Sequence, residues 1–219
     1  MEFDPTVHAI RAALQGRAHK TFDLPKFRRA SVLIPILKRP HGATILFTRR
    51  AETVAQHKGQ ISFPGGRVEK GESVEAAALR ESQEEVALDP KRVEIVGRLD
   101  DQPSVSWYVV SPFVGIVRDP PDAFVGQASE VSEPFEVPLA ALLDRTRHRS
   151  ERWKATQMPD GSPVDELMRI RADLDEVDEA TQTYAVHFFE PGDGRIIWGL
   201  TARILKQLLD LAFAFSPSS

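Results

Sequence analysis

The chain has 219 residues, of which 42% are hydrophobic, and its formal net charge at pH 7 is −4. It contains no cysteine, which excludes disulfides, thiol catalysis and cysteine-based zinc sites. The acidic balance disfavours a general nucleic-acid-binding protein, because such proteins are usually basic. The sequence has no run of 18 apolar residues, and "MEFDPTVHAI" lacks the basic start and apolar core of a signal peptide. We therefore expect a cytoplasmic protein without a membrane span.

The N-terminal part of the chain predicts one helix followed by three strands. "DPTVHAIRAALQG" (4–16) has the pattern of a short amphipathic helix, with Asp4 as its N-cap and a glycine at its end. Strand patterns follow in "ASVLIPIL" (30–37), "GATILFTR" (42–49) and "QISF" (60–63).

The middle of the chain predicts two further strands, a loop and a short helix. "RVEIVGRL" (92–99) and "SVSWYVVSPFVGIV" (104–117) are strand-like, and we expect the second to bend at Pro112. The polar, proline-containing stretch 119–134 is predicted to be a loop, and "LAALLD" begins another short helix.

The C-terminal third predicts an insertion, a hairpin and a closing helix. Residues 145–182 are polar and acidic, and we interpret them as an inserted helical hairpin or lid. "YAVHFF" (184–189) and "GRIIWG" (194–199) are typical of a hairpin, in which we expect Trp198 to pack in the core. "LTARILKQLLDLAFAF" has the pattern of an amphipathic helix. Since no linker divides the chain, we predict one α/β domain, an α/β/α sandwich with a mixed β-sheet.

The helix predicted to begin near Ser73 and end before Pro90 carries three glutamates on one face. Glu81, Glu84 and Glu85 stand at i, i+3 and i+4, so their side chains meet. Apolar residues share this stripe, which turns it toward the interior or a cleft. Like charges at this spacing destabilise a helix by about 0.2–0.5 kcal/mol per pair, and by more when partly desolvated. Mg²⁺ or Mn²⁺ bound by the carboxylate oxygens is the simplest way to neutralise them.

Residues 66–88 resemble the Nudix box, whose pattern is G-x5-E-x7-R-E-U-x-E-E-x-G-U, with U a bulky apolar residue. The matching residues are Gly66, Glu72, Arg80, Glu81, Glu84, Glu85 and Leu88. Ser82 replaces the first apolar residue of the pattern, and Ala87 replaces its last glycine. Neither change removes a charged residue. Ala87 costs about 1 kcal/mol if it keeps the left-handed helix end that glycine favours.

The resemblance implies a Nudix-like fold and hydrolysis of a nucleoside diphosphate linked to another group. It implies that Glu81, Glu84 and Glu85 bind Mg²⁺ or Mn²⁺, and that Arg80 orients Glu81 or Glu72. The metal would neutralise the pyrophosphate and lower the pKa of an attacking water. Such chemistry depends on charge stabilisation and alignment, which suits a carboxylate cluster without a strong nucleophile.

The general base stays open at this point, because it differs between branches of the family. Glu81 or Glu84 is one candidate. A carboxylate from the loop carrying Glu130 and Glu133 is the other, as a base or an extra metal ligand. Both loop glutamates are equally explained as solvated loop residues.

The segment upstream of the box indicates which branch of the family the sequence resembles. "LFTRRAETVAQHKGQISFPGG" (46–66) resembles the signature of coenzyme A pyrophosphatases, roughly L-L-T-x-R-[SA]-x3-R-x3-G-x3-F-P-G-G. Ala55 stands where that pattern has an arginine, which removes a possible phosphate contact. "EVSEPFEVPL" (130–139) and "IWGLTARIL" (197–205) are also similar to that branch. The resemblance implies cleavage of coenzyme A and its thioesters to adenosine 3′,5′-bisphosphate and (acyl-)4′-phosphopantetheine.

A locally basic rim flanks the glutamate helix, although the whole chain is acidic. Such a rim suits a small polyanion, and coenzyme A adds a 3′-phosphate to its pyrophosphate. No nucleic acid or membrane partner is expected. The predicted substrate-binding residues are Arg49, Arg50, His57, Gln60, Gly65, Gly66 and Arg67.

Two other functions stay open on the sequence. One is a Nudix hydrolase of ADP-ribose or another nucleoside diphosphate derivative, which the alanine at position 55 partly favours. The other is a non-catalytic Nudix-like binding module, which the intact glutamates disfavour.

Overall fold

A computed structural model describes residues 1–50, 59–127, 131–154, 177–178 and 183–215. Its helices are α1 (Phe3–Leu14), α2 (Val74–Val86), α3 (Leu139–Leu142) and α4 (Gly199–Phe213), with 3₁₀ turns at Pro90–Arg92 and Arg145–Arg147. Its strands are β1 (Arg28–Arg39), β2 (Gly42–Arg50), β3 (Ile61–Ser62), β4 (Gly65–Arg67), β5 (Glu94–Arg98), β6 (Gln102–Pro103), β7 (Tyr108–Val117), β8 (Val131–Pro138), β9 (His148–Lys154), β10 (Val177–Asp178), β11 (Thr183–Phe189) and β12 (Ile197–Trp198).

The strands form two sheets. The larger one has the order β3-β2-β1-β7-β5, with β4 paired to β1, β6 to β7 and β8 to β2. β1 and β7 run parallel, and the other pairs are antiparallel, which confirms the predicted mixed sheet. In the second sheet β11 pairs with β9, β10 and β12.

Alternation along β1 explains why helices cover both faces of the large sheet. Leu33 and Leu37 belong to the core cluster that includes buried residues of α2. Ile34 and Ile36 belong to the other cluster, with the apolar faces of α1 and α4. Successive side chains of a strand point to opposite faces, so one strand feeds both cores. The predicted α/β/α sandwich is thereby confirmed.

A buried carboxylate fixes β1 beside β7. Asp101 is fully buried and accepts hydrogen bonds from Arg29 Nη1 at 3.1 Å, from Ser111 Oγ at 2.8 Å and from Arg98. Ser31 Oγ donates to the carbonyl of Ser111 at 2.9 Å. A buried hydrogen-bond network of this kind rigidifies the structure around it. It holds the parts of β1 and β7 that line the cleft described below.

The loop predicted at 119–134 is wrong at its C-terminal end. Residues 131–134, assigned to a loop, begin β8, which pairs with β2. Pro134 lies in this strand opposite Thr48. Proline is tolerated in edge strands but weakens the strand pattern, which explains the error.

The predicted helical hairpin at 145–182 is wrong within the described residues. Residues 148–154 form β9, an almost wholly exposed strand that pairs with β11 along its full length. Residues 177–178 form β10, which pairs with the same strand. Pairing with a neighbour decides strand formation for such a polar sequence, and local composition does not show it. Residues 155–176 and 179–182 lie outside the described ranges.

The remaining differences are small. Helix α1 begins at Phe3 with Glu2 in the N-cap position, so Asp4 is not the cap. Asp4 lies instead in the first turn and forms an ion pair with Arg118 at 2.8 Å. The ladder between β1 and β7 runs through Pro112 without a register shift.

In the ranges that the structure describes, no helix is long and apolar enough to cross a membrane.

Candidate active site

A cleft of about 1430 Å³ separates the glutamate helix from the second sheet. One wall consists of β1, β4 and α2, and it includes Arg80, Glu81, Glu84 and Glu85. The opposite wall consists of β9, β11, β12 and the first turn of α4, and it includes Trp153, Tyr184 and Trp198. A third side is formed by the segment that joins β6 to β7.

Helix α2 begins and ends as its sequence predicts. Ser73 is the N-cap, and its hydroxyl accepts a hydrogen bond from the backbone N–H of Ala76 at 3.1 Å. The helix ends at Ala87, which has φ 56° and ψ 29°. The left-handed end is therefore kept without a glycine, at a cost of about 1 kcal/mol. Ser82 is buried and donates to the carbonyl of Ala78 at 2.7 Å, so its hydroxyl is satisfied in an apolar position.

Two glycines let β4 lie directly against β1 and the glutamates. A Cβ on Gly65 would lie 2.6 Å from the Cα of Val32, and a Cβ on Gly66 would lie 2.5 and 2.6 Å from the carboxylate oxygens of Glu81. Real Cβ contacts are not this short. The backbone N–H of Gly65 donates to Glu85 Oε2 at 3.1 Å. The Gly-Gly pair thus brings backbone and carboxylates together, as required for a preorganised site.

Arg80 holds three of the carboxylates. Its Nε and Nη2 donate to Glu72 at 2.9 and 3.1 Å, and its Nη1 donates to Glu81 and Glu84, both at 3.0 Å. Nη2 also donates to the carbonyl of Arg67 at 3.0 Å. The predicted pairing of Arg80 with Glu72 is confirmed. The hydrogen bond to Glu72 raises the pKa of Arg80, and the same contact holds the pKa of Glu72 below its usual range.

These contacts revise the expectation that a metal ion alone neutralises the cluster. The guanidinium of Arg80 reaches two of the three glutamates, Glu81 and Glu84. Glu85 is 4% exposed and is tied to the backbone of β4 instead. Within the part of the chain that the structure describes, no three His, Asp or Glu side chains converge on a point that could hold a metal.

The donor set nevertheless fits a hard divalent cation. Glu81, Glu84 and Glu85 offer only carboxylate oxygens, which Mg²⁺ and Mn²⁺ prefer. Glu85 is a buried carboxylate that accepts a hydrogen bond from the backbone N–H of Gly65. The contacts of Glu81 and Glu84 with Arg80 are ion pairs that a bound cation would have to replace or share.

Five of the predicted substrate-binding residues line the cleft: Arg50, Gln60, Gly65, Gly66 and Arg67. The N–H of Arg50 donates to the carbonyl of Gln60 at 3.0 Å, which joins the end of β2 to the approach to β3. The guanidinium of Arg67 lies 5.7 Å from the ring centroid of Tyr108. Two arginines therefore line the cleft, and the backbone of Arg67 contacts Arg80 of the glutamate helix.

Other predicted residues are not brought into the cleft. Arg49 is exposed and outside its walls. Glu133 is likewise outside and pairs with Arg195 at 2.5 Å, so it does not join the glutamate cluster. Glu72 does not line the cleft, and its ion pair with Arg80 connects it to the site. The predictions for His57 and Glu130 lie outside the described residues, as does Ala55.

The sequence reasoning missed the opposite wall. Trp198, expected in the core, is 40% exposed and lines the cleft, while its neighbour Ile197 is fully buried. Strand alternation between these two residues is the signal that would have placed Trp198 outside. Trp153 carried no such signal, because β9 was not recognised, whereas Tyr184 begins the predicted strand 184–189. Gln127 was also missed, although its N–H donates to the carbonyl of Glu85 at 2.9 Å.

The amino-acid sequence of this chain is similar to those of known proteins. The NUDIX domain family matches residues 27–158, more than half of the chain. A Salmonella dublin protein called "Uncharacterized Nudix hydrolase NudL" is 37% identical over 192 residues, covering 87% of this chain and 84% of that protein. An Escherichia fergusonii protein with the same name is 39% identical over 183 residues, covering 83% and 81% respectively. The solved NUDIX domain of Shewanella oneidensis NrtR, in complex with ADP ribose, covers 70% of this chain and 89% of its own, with a TM-score of 0.44 and 20% identity.

Proposed function

This chain belongs to the Nudix hydrolase family, and we propose that it is the Mg²⁺- or Mn²⁺-dependent pyrophosphohydrolase of coenzyme A and its derivatives. The reaction adds water across the pyrophosphate and releases adenosine 3′,5′-bisphosphate and (acyl-)4′-phosphopantetheine. Membership of the family supports the type of reaction. The proposal adds the identity of the substrate and the roles of the residues that act on it.

One observation carries the assignment of the catalytic centre. Glu81 and Glu85 both contact the glycine strand β4, and Arg80 ties Glu81 and Glu84 to Glu72. The result is a set of carboxylates that Arg80 and β4 hold along one wall of an open cleft. Carboxylates at such a place suit metal-assisted phosphoryl chemistry, in which positioning and charge stabilisation supply most of the rate.

The roles of the side chains follow from these contacts. Glu81, Glu84 and Glu85 would hold the cation, which when bound neutralises the pyrophosphate and acidifies the attacking water. Arg80 orients Glu81 and Glu84, while Glu72 holds Arg80. Among the described residues, Glu81 and Glu84 are the remaining candidates for the base, since Glu133 lies outside the cleft. The side chain of Glu84 is 53% exposed, so it is accessible to water in the cleft.

The similarity of residues 46–66 to the coenzyme A branch supports the substrate assignment. Part of that segment is described, and its Arg50, Gln60, Gly65 and Gly66 line the cleft. The cleft volume of about 1430 Å³ exceeds the roughly 300–1,000 Å³ typical of small-ligand pockets. A cleft of this size has room for a substrate with a nucleotide and a long second arm.

The test is a substrate panel with product analysis. Coenzyme A, an acyl-coenzyme A, ADP-ribose and diadenosine tetraphosphate are incubated with and without Mg²⁺, and the products are separated by chromatography. We expect Mg²⁺-dependent release of adenosine 3′,5′-bisphosphate, with the highest kcat/KM on coenzyme A or its thioester. A higher kcat/KM on ADP-ribose would refute the substrate assignment. The absence of metal-dependent turnover with every compound would refute the proposed enzymatic activity.

A matched pair of variants separates the cluster from general charge effects. Glu81→Gln removes a proposed ligand charge, whereas Glu75→Gln removes an exposed glutamate of the same helix that lies outside the cleft. Only Glu81→Gln should abolish turnover. Equal loss in both variants would show that the net charge of the helix matters and the position of the carboxylate does not.

A further inference from the structure

The wall of the cleft opposite the glutamates carries a group of packed aromatic rings. The ring centroids of Trp153 and Trp198 lie 6.3 Å apart, and each lies within 6.3 Å of the ring of Phe188. Phe188 is 8% exposed, whereas each tryptophan is 40% exposed and lines the cleft. Two indoles therefore rest on a buried phenyl ring and present part of their surface to the cleft.

Strand register explains why these rings face the cleft. Directly opposite residues of an antiparallel pair share a face. Phe188 is opposite Trp198 on β12, and Tyr184 is opposite Trp153 on β9. Their neighbours Phe189 and Ile197 take the other face and pack into the core beside α4. The core thus occupies one face of the second sheet and leaves the other for the cleft.

A hydrogen bond orients the exposed ring of Trp153. Trp153 Nε1 donates to Glu151 Oε2 at 2.8 Å, which satisfies the only polar atom of the indole. The guanidinium of Arg149 lies 3.9 Å from the ring centroid of Phe188. This hydrogen bond and the packing of both indoles on Phe188 set the rings in place before any ligand arrives, so little side-chain freedom is lost when a flat ligand stacks on them.

We propose that Trp153 and Trp198 form the stacking site for the purine base of the substrate, and this proposal rests on the proposed function. A nucleoside diphosphate derivative has one flat aromatic group, and it must lie away from the pyrophosphate. The glutamates line one wall of the cleft and the indoles line the other. A base on the indoles and a pyrophosphate at the glutamates can therefore belong to one bound molecule.

The second arm of the substrate fits the third side of the cleft better than it fits the aromatic wall. That side includes Ser104, Val105 and Ser106, which mix hydroxyl groups with an aliphatic side chain. A flexible amide-containing chain is matched by such a surface. A purine gains more from aromatic faces, on which bases stack with little regard to their hydrogen-bonding pattern.

The decisive experiment measures binding and needs no turnover. Isothermal titration calorimetry in Mg²⁺ buffer compares α,β-methylene-ADP, inorganic pyrophosphate and 4′-phosphopantetheine as ligands. Removal of one stacking ring should weaken binding of the adenine nucleotide about tenfold. Trp153→Ala and Trp198→Ala should therefore lower affinity for α,β-methylene-ADP by that factor and leave the other two ligands unchanged.

Matched variants separate stacking from folding and from general apolar contact. Trp153→Phe keeps an aromatic face and should retain most of the affinity, whereas Trp153→Leu keeps apolar bulk and should lose it. Leu211→Ala removes an exposed apolar side chain of α4 outside the cleft and should change nothing. Circular dichroism checks that each variant is folded, and Trp153→Phe and Trp153→Leu decide the question if an alanine variant is not.

Three results would overturn the proposal: nucleotide affinity within twofold of wild type in both alanine variants, an equal loss for pyrophosphate, or a loss confined to 4′-phosphopantetheine. The last would assign the aromatic wall to the other arm of the substrate. Tryptophan-dependent nucleotide binding without hydrolysis of coenzyme A would refute the proposed substrate and leave the stacking site standing.

Discussion

The contact between Gly66 and Glu81 leads to a specific expectation for Gly66→Ala. The new Cβ would lie 2.5 Å from Glu81 Oε2, whereas an ordinary contact begins at 3.4 Å. The carboxylate must therefore retreat by about 0.9 Å, the difference between these distances. It can do so, because it is the far end of a flexible side chain. The protein should fold, with Tm within about 3 °C of wild type.

The same displacement should be costly for catalysis. A misplacement of about 1 Å in a catalytic group lowers the rate by about 100-fold. We expect kcat of Gly66→Ala to fall by that factor at saturating substrate and Mg²⁺. The assay is steady-state release of adenosine 3′,5′-bisphosphate from coenzyme A, or from whichever panel substrate is turned over fastest. Thermal unfolding is followed in parallel.

Two other glycines provide controls. A Cβ on Gly65 would lie 2.6 Å from the Cα of Val32, and backbone cannot retreat as a side chain can. Gly65→Ala should therefore destabilise the fold by about 3 kcal/mol and lower Tm by about 10 °C. Gly16 has φ 69° and open space around it, so Gly16→Ala should cost only about 1 kcal/mol and leave kcat unchanged. If Gly66→Ala kept more than half of the wild-type kcat, the argument that β4 positions Glu81 would be wrong.

Four further expectations follow. Glu81→Gln and Glu85→Gln should each lower kcat by about 1,000-fold or more while the protein stays folded, and more than a tenth of wild-type activity in both at saturating Mg²⁺ would contradict their role as ligands. Arg80→Ala should lower kcat more than it raises KM, because the arginine orients carboxylates; a pure KM effect would place it on the substrate. Burial lowers the pKa of His187, so the folded protein binds its proton less readily than the unfolded chain. Stability should therefore fall as pH drops below about 6.5, by up to about 1.4 kcal/mol per pH unit, and urea titrations of His187→Asn at pH 7 and pH 5 should show a smaller drop than wild type. Ala55→Arg should raise kcat/KM for coenzyme A and leave dephospho-coenzyme A nearly unchanged; strong discrimination in wild type, with no change in the variant, would show that other cations already hold the 3′-phosphate.

Much of the glutamate helix and its surroundings was determined by local sequence. The cap at Ser73, the end at Ala87 and the pairing of Arg80 with Glu72 all lie within a short stretch of chain. Helix geometry fixes which side chains of such a stretch share a face, so spacing alone predicts their neighbours. Alternation along β1 likewise predicts a strand with two buried faces, and hence a sheet between helices.

The opposite wall of the cleft was decided only by tertiary structure. Residues 148–154 are polar and exposed, and they form a strand because β11 pairs with them, about 30 to 40 positions further along the chain. Trp153 and Trp198 meet because both strands flank β11, a contact that no local pattern encodes. The same holds for Glu133, which sequence reasoning offered as a base and the fold pairs with Arg195. Local spacing specifies chemistry on one helix, whereas long-range strand pairing decides what that helix faces.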